Sequence, residues 1–493
     1  MLSILFSLSN SYGQNQHIFS RPVSMPEKTR EVQEKIQSIP DLEISIRKRA
    51  DRGVTHIDNS QLKFFPPVFD QVGNSCSQAS GIRYHFTYEI NRIRDRAADT
   101  DEHIYAYHYT WNLLNKGTDM GTWYYDGFDL VKDNGVPSLK EFNDEAYYMS
   151  LTRWMDGYPK YYQAIHNRIE EYYKLDASED GALEQMKQYL IDHGGGTEFG
   201  GLINFSGKTT NWDMFEYNGP AHTSYQYAIR NFGNGGDHAM TIAGFDDKVE
   251  IDVNQNGAIE DDEIGAFIIV NSWGNGWGTN GRAYMPYKLL KKSYNYGGIG
   301  NSDKYVYMLD AKDYSPKVAG KATINYTSRN DLYFILGVAE DASATSPERI
   351  KFLEIMKKQG GDHYMKGTTD NDGKSLEVGL DYTSLIEKVP GAQKFFLTVK
   401  QTYNGEVGSG KIKNLTIMDY RENAEDPKVI TSSSDAATIE GKAVATASNQ
   451  QTYETGIVKV EKPSFSFFPN PVSETMHITF SEKWVGRLSF RVA

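Results

Sequence analysis

The chain has 493 residues, 39% of them hydrophobic, and at about 150 residues per domain it holds about three domains, each able to bury a core. Its 65 acidic side chains outnumber 52 basic ones, a formal charge of −13, which excludes nucleic acid and an anionic membrane surface as main partners because both demand a basic face. One cysteine in the whole chain excludes an internal disulfide framework.

Residues 1–14 have an apolar centre followed by small residues and read as a signal peptide without a basic start. They are too short to span a bilayer, and no other stretch is long and apolar enough to do so. Residues 15–60 are polar, with a helix predicted over 31–39 that Pro40 stops. This segment is a short propeptide or a spacer with a docking strand.

After Phe65-Pro66-Pro67 the chain reaches Gln71-Val72-Gly73-Asn74-Ser75-Cys76-Ser77, which opens an amphipathic stretch. Cys76 therefore stands at a helix start, where unpaired backbone N–H groups and the helix dipole favour a thiolate. A free thiol is as a rule a small buried hydrophobe, so a nucleophile needs a base elsewhere. Helical patterning continues over 104–115, 161–173 and 183–193, the last closed by Gly194-Gly195-Gly196, and 197–205 alternates as a strand. Among eleven histidines His238 stands apart. It follows Gly235-Gly236-Asp237 and starts the run Ala239 to Phe245, which reads as a buried strand entered from a turn. The strand Ala266 to Val270 then ends in Asn271-Ser272-Trp273-Gly274, a carboxamide beside an indole, placed to hold an imidazole by hydrogen bonding.

Between these strands, Asp252 to Glu263 fits the calcium-loop pattern D-x-[DN]-x-[DN]-G-x5-E at every required position. The oxygen ligands would be the side chains of Asp252, Asn254 and Asn256, the Ala258 carbonyl, Glu260 and both oxygens of Glu263, with Gly257 at the sharp turn and Ile259 as apolar plug. Over 246–263 eight carboxylates face one lysine, so a counter-cation is expected. Because strands flank the loop, the calcium would brace structure with an affinity on the order of 10⁻⁴ to 10⁻³ M.

The segments around Cys76, His238 and Asn271 resemble the papain family of cysteine peptidases, over residues 61–312. The resemblance implies an α+β domain of two lobes, one helical and one an antiparallel sheet, with Cys76 as nucleophile, His238 as its base, Asn271 orienting the ring and Gln71 completing an oxyanion hole. Peptide or protein substrates follow from it. Gly127 to Pro137 also resembles a helix and turn between the family's lobes. Ser77 replaces the family's tryptophan after the nucleophile, and the Gln71–Cys76 loop is one residue shorter than the family's.

Beyond 312 the pattern changes to alternating strands such as Leu332 to Val338 and Lys394 to Lys400, read as an all-β sandwich over 313–425. Sandwiches of this kind bind glycans or proteins, or act as spacers. Residues 426–460 are rich in Ser, Ala and Thr and read as a linker. In 461–493, Phe468-Pro469-Asn470-Pro471-Val472 followed by an alternating strand resembles the C-terminal sorting domain of type IX secretion cargo. That resemblance implies export through the periplasm of a Gram-negative bacterium to the medium or the cell surface. Two other functions stay open: a non-catalytic cell-surface binding protein with a degenerate papain-like module, and a transglutaminase-like acyltransferase, which pairs its Cys/His with aspartate where this chain has Asn271.

Overall fold

At Cys76 the chain enters one buried helical run. An α-turn, Cys76–Gln78, leads into a π-helical stretch, Ala79–Phe86, and then an α-helix, Thr87–Ile93. From Cys76 to Asn91 only Arg83 is not fully buried, and a helix buried all round marks the centre of a domain rather than its surface. Wide π turns are rare and gather at functional sites. The helices Tyr107–Leu114 and Tyr124–Asn134 pack beside this run. Gly135 ends the second at φ +76°, where a Cβ would lie 1.9 Å from the Ala164 carbonyl. The computed structural model describes residues 28–44, 53–143, 151–194, 197–299, 305–353, 363–367, 371–401, 408–432 and 437–449; the signal peptide expected at 1–14 and the sorting segment at 461–493 lie outside them.

Against the helices lies a nine-stranded, largely antiparallel sheet, so the chain is α+β. Its order is Asn167–Asp176, Tyr305–Asp313, Ile203–Thr210, Gly235–Glu250, Ile264–Val270, Arg282–Pro286, Tyr227–Asn231 and Asp213–Glu216, with His56–Asp58 added beside Gly235–Glu250. The strand headed by His238 thus sits near the middle, paired through Thr241↔Val270 to the strand that ends at Asn271. The helix expected over 161–173 is corrected: the helix is Tyr158–Ile165, and Asn167–Asp176 is a strand. The ladder to Tyr305–Asp313 overrides the local aromatic spacing.

The described part of the N-terminal segment docks on that edge strand. The helix Arg30–Ser38 is capped by Thr29 Oγ1, which accepts from Val32 N, and Lys35 pairs with Asp129 at 2.7 Å. Just after it, Leu42 N donates to Lys174 O and Lys174 N to Pro40 O.

Past Asp313 the strands form two further antiparallel sheets. One is ordered Ser375–Asp381, Val318–Tyr326, Gly410–Asp419 and Lys428–Thr431, with Ala437–Thr438 also on Gly410–Asp419; the other is Arg349–Leu353, Leu332–Ala339, Lys394–Gln401 and Lys442–Ser448. Residues expected as a linker from 426 therefore continue these sheets as far as Ser448, a correction with a simple cause. Ala443, Ala445 and Ala447 alternate inward opposite Val399, Leu397 and Phe395, a period of two that an Ala/Thr/Ser composition conceals. Buried side chains of both sheets and of the helical lobe form one continuous cluster. Arg168 Nη2 meets Asp381 Oδ2 at 2.6 Å across that junction, and Tyr314 Oη donates to the same carboxylate. Among the described residues no helix is long and apolar enough to cross a membrane.

Candidate active site

Cys76 begins its helix with Ser75 before it, and Ser75 Oγ holds the loop by donating to Val72 O at 2.7 Å. The sulfur is 1% exposed and hydrogen-bonds the backbone of Ala239, the residue after His238. Two segments more than 160 positions apart in sequence therefore meet at the thiol. His238, also 1% exposed, places Nε2 2.7 Å from Asn271 Oδ1. The same oxygen accepts from Ser272 N at 2.7 Å. A backbone N–H only donates, so this atom is the amide's oxygen; His238 Nε2 must then carry the proton, and Nδ1 is the basic nitrogen. Trp273 stacks on the imidazole with ring centroids 4.3 Å apart and covers the His238–Asn271 bond from water.

Gln71 joins the group through a residue to which the sequence alone gives no role. Its N donates to Ser272 O at 2.7 Å, and its Oε1 accepts from Ser272 Oγ at 2.6 Å. Ser272 thereby aims the amide so that its NH2 end faces the nucleophile loop. One of the two amide hydrogens goes to Gly73 O at 2.9 Å, a contact made inside the shortened loop. Further anchors are Tyr84 Oη, which donates to Asn271 O at 3.0 Å, and Tyr107 Oη, which accepts from Val72 N at 3.1 Å. Asp119 ties the opposite loop to the nucleophile loop by accepting from Asn74 N at 2.7 Å, while Asn74 Nδ2 donates to Asp119 O at 2.7 Å. Ser77, directly after the nucleophile, turns its hydroxyl away to Thr122 Oγ1 at 2.9 Å. Trp212 leans on Trp273 with centroids 5.7 Å apart.

Burial pushes the Cys76 thiol up to about 11, against the pull of the Ala239, Ser77 and Cys76 backbone groups, with Asp237 adding to the rise. The helix start, expected to favour a thiolate, is outweighed by desolvation. A sulfur held above its ordinary range would become a nucleophile by handing its proton to a base, the part the sequence expects of His238.

The acidic loop is arranged differently. Asp252 accepts from Asn256 N at 3.1 Å and Gly257 N at 2.8 Å, Asn254 Oδ1 from Asn256 N at 2.9 Å, and Asn256 Oδ1 from Ala258 N at 2.8 Å. Gly257, at φ +86°, makes the turn. Buried Glu263 accepts from Val253 N at 2.9 Å, Asn254 N at 3.2 Å and Glu260 N at 3.3 Å. Glu260 binds the amides of Asn254 and Asn256, each at 2.9 Å. Lys288 reaches Asp262 at 2.9 Å, Glu260 at 3.2 Å and Glu263 at 3.3 Å, supplying a counter-charge from outside the segment whose charges the sequence count compares. Ile259 is 41% exposed, not a buried plug. Among the described residues no three His, Cys, Asp or Glu side chains gather as a metal set. The all-oxygen donors suit a hard cation, with Asp252, Asn254 and Asn256 held ready by the turn and Glu260 and Glu263 turned toward Lys288.

No protein-family model and no curated protein matches the chain. Among solved structures it is similar to xylellain, a cysteine protease from Xylella fastidiosa, at 18% identity over 59% of this chain and 98% of that one, with a TM-score of 0.37. It is also similar to digestive procathepsin L 3 of Tenebrio molitor larval midgut, at 15% identity over 57% and 78% with a TM-score of 0.33, and to a recombinant stem bromelain precursor, at 13% over 60% and 76% with a TM-score of 0.35.

Proposed function

We propose that the chain is a papain-like cysteine peptidase that hydrolyses peptide bonds through Cys76. The observation that carries this is the shared oxygen of Asn271, which fixes the imidazole tautomer so that Nδ1 is the base while the neighbouring residue, Ala239, lies on the sulfur. Cys76 Sγ gives its proton to His238 Nδ1 and attacks the peptide carbonyl. The negative oxygen that forms accepts from the Cys76 N–H and the Gln71 amide, a contribution of about 3 kcal/mol per donor in comparable sites. The carbon–nitrogen bond then breaks, the imidazolium protonates the departing amine, and water cleaves the thioester with His238 as base. The test is hydrolysis of a mixed peptide library by the full chain and by Cys76→Ala; equal rates would leave the non-catalytic surface-binding reading in its place. An orienting carboxamide at 271 rather than a carboxylate favours hydrolysis over amine transfer, which amine incorporation into a glutamine peptide checks.

Calcium belongs to the same proposal as a structural ion on Asp252, Asn254, Asn256, the Ala258 carbonyl, Glu260 and Glu263. It would supply charge neutralisation between the strands that carry His238 and Asn271, and calorimetric titration of the full chain with calcium tests it. The tail at 461–493 fits cargo of a type IX secretion system, with export to the surface or medium, and the two C-terminal sheets fit a sandwich that binds glycan or protein. Fractionation of cells expressing the chain with and without 461–493 tests the export.

A further inference from the structure

We propose that Tyr124 is a positioning residue whose phenol oxygen sets the approach of sulfur to imidazole, by pinning the Cys76 helix to the His238 strand. The inference rests on the peptidase reading above. Tyr124 opens the helix Tyr124–Asn134 and is buried. Its Oη lies 3.0 Å from Ser80 Oγ, 2.8 Å from Phe205 O and 3.1 Å from Met240 O. Ser80 stands one helical turn after Cys76, and its Oγ also lies 2.9 Å from Cys76 O. Met240 is two residues past His238 and faces Phe205 across the sheet. One oxygen atom thus touches the helix of the nucleophile, the strand of the base and the strand beside it.

The hydrogen count gives this contact its stiffness. Ser80 has one hydroxyl proton and two acceptors in reach, Tyr124 Oη and Cys76 O. Cys76 O already accepts from Ala79 N, so the proton serves Tyr124, whose own proton goes to the Phe205 and Met240 carbonyls, and a buried oxygen that loses such a donor is costly. Asn204 adds a second polar tie, its Nδ2 donating to Ser80 O at 3.2 Å and to Thr241 Oγ1 at 3.3 Å. Apolar side chains can slide past one another by fractions of an ångström at little cost, whereas hydrogen bonds hold both length and direction. A misplacement of about 1 Å at reacting atoms costs about 100-fold in rate, so the pin is worth most to the chemical step and little to substrate binding.

The test uses the full chain with Tyr124→Phe and Ser80→Ala. The readouts are kcat and KM on a cleaved peptide, the pH dependence of Cys76 alkylation by iodoacetamide, and thermal unfolding. Tyr124→Phe is expected to lower kcat about 10- to 100-fold with KM within about twofold, and to move the midpoint of the alkylation profile. Ser80→Ala should do the same to a smaller degree, and the double variant should lose no more than the worse single, because the two hydroxyls act as one unit. Ser80→Ala also keeps the test alive should Tyr124→Phe fail to fold. Unchanged kcat and unchanged alkylation profiles in the folded variants would overturn the proposal, as would a loss that only follows the folded fraction. A wild-type chain with no thiol-dependent hydrolysis would sink the peptidase reading alone, since the alkylation profiles still report on the pin.

Discussion

Around Cys76, side chains as far apart as Gln71 and Ser272, 201 positions in sequence, arrive within hydrogen-bonding reach; in the acidic loop, six residues inside one dodecapeptide turn their oxygens on their own backbone, their own amides and Lys288. Both stretches match a sequence pattern, the loop at every required position and the cysteine site with Ser77 and a shortened Gln71–Cys76 loop as departures. The difference teaches what such a pattern encodes. The loop pattern is local and specifies a turn, whose oxygens meet its own backbone, its own amides and Lys288. The cysteine-site pattern means something only if separate elements dock in one register, so finding Asn271 against His238 and the Ala239 backbone against Cys76 carries more information than finding the loop folded as a loop.

Four measurements sharpen or break this contrast. Cys76→Ala should lower peptide hydrolysis by about 10⁴-fold or more; a chelator that matched that loss would make the loop part of the catalytic apparatus and erase the distinction. Gln71→Ala should cost about 100-fold in kcat as an oxyanion donor, and Ser272→Ala about tenfold, because it acts only through the glutamine's aim; an equal effect from both would reassign the oxyanion role. The third concerns stability. With the folded thiol raised from an ordinary 9.0 to about 11, the unfolded chain ionises first as pH rises. The stabilisation is thus whole below about pH 9 and lost as pH climbs through about 11, on the order of 2 kcal/mol. Chemical denaturation of wild type against Cys76→Ala across that window reads it, and parallel curves would mean the sulfur is less enclosed than it stands here. The smallest effect belongs to the loop: Lys288→Met should tighten calcium binding about tenfold by removing a competing charge, and unchanged affinity in a titration would show that the ammonium does not oppose the ion.

Cys76, His238 and Asn271 are legible in sequence because each stands where a pattern changes: a loop becoming a helix, a glycine turn becoming a strand, a buried strand becoming an Asn-Ser-Trp-Gly corner. Ser272 sits in plain view without a role, since nothing local says that its hydroxyl meets Gln71. Tyr124 is less legible still; an aromatic at helical spacing is ordinary core, and only the docking of Ser80, Phe205 and Met240 around its oxygen sets it apart. Strand Asn167–Asp176 passes for helix because its aromatics fit helical spacing until the partner strand is known. Strand Lys442–Ser448 passes for linker because alanine buries well but patterns weakly.

The ion pair between Arg168 and Asp381 has a consequence for how this chain can be matured. A cut between the strands Tyr305–Asp313 and Val318–Tyr326 that let the C-terminal sheets drift off would break this pair and bare to water the buried side chains that the sheets and the helical lobe share in one cluster. Those sheets are therefore masonry rather than cargo: they wall the core of the half that carries Cys76, and a fragment ending before Val318 is expected to unfold at a lower temperature than the whole chain.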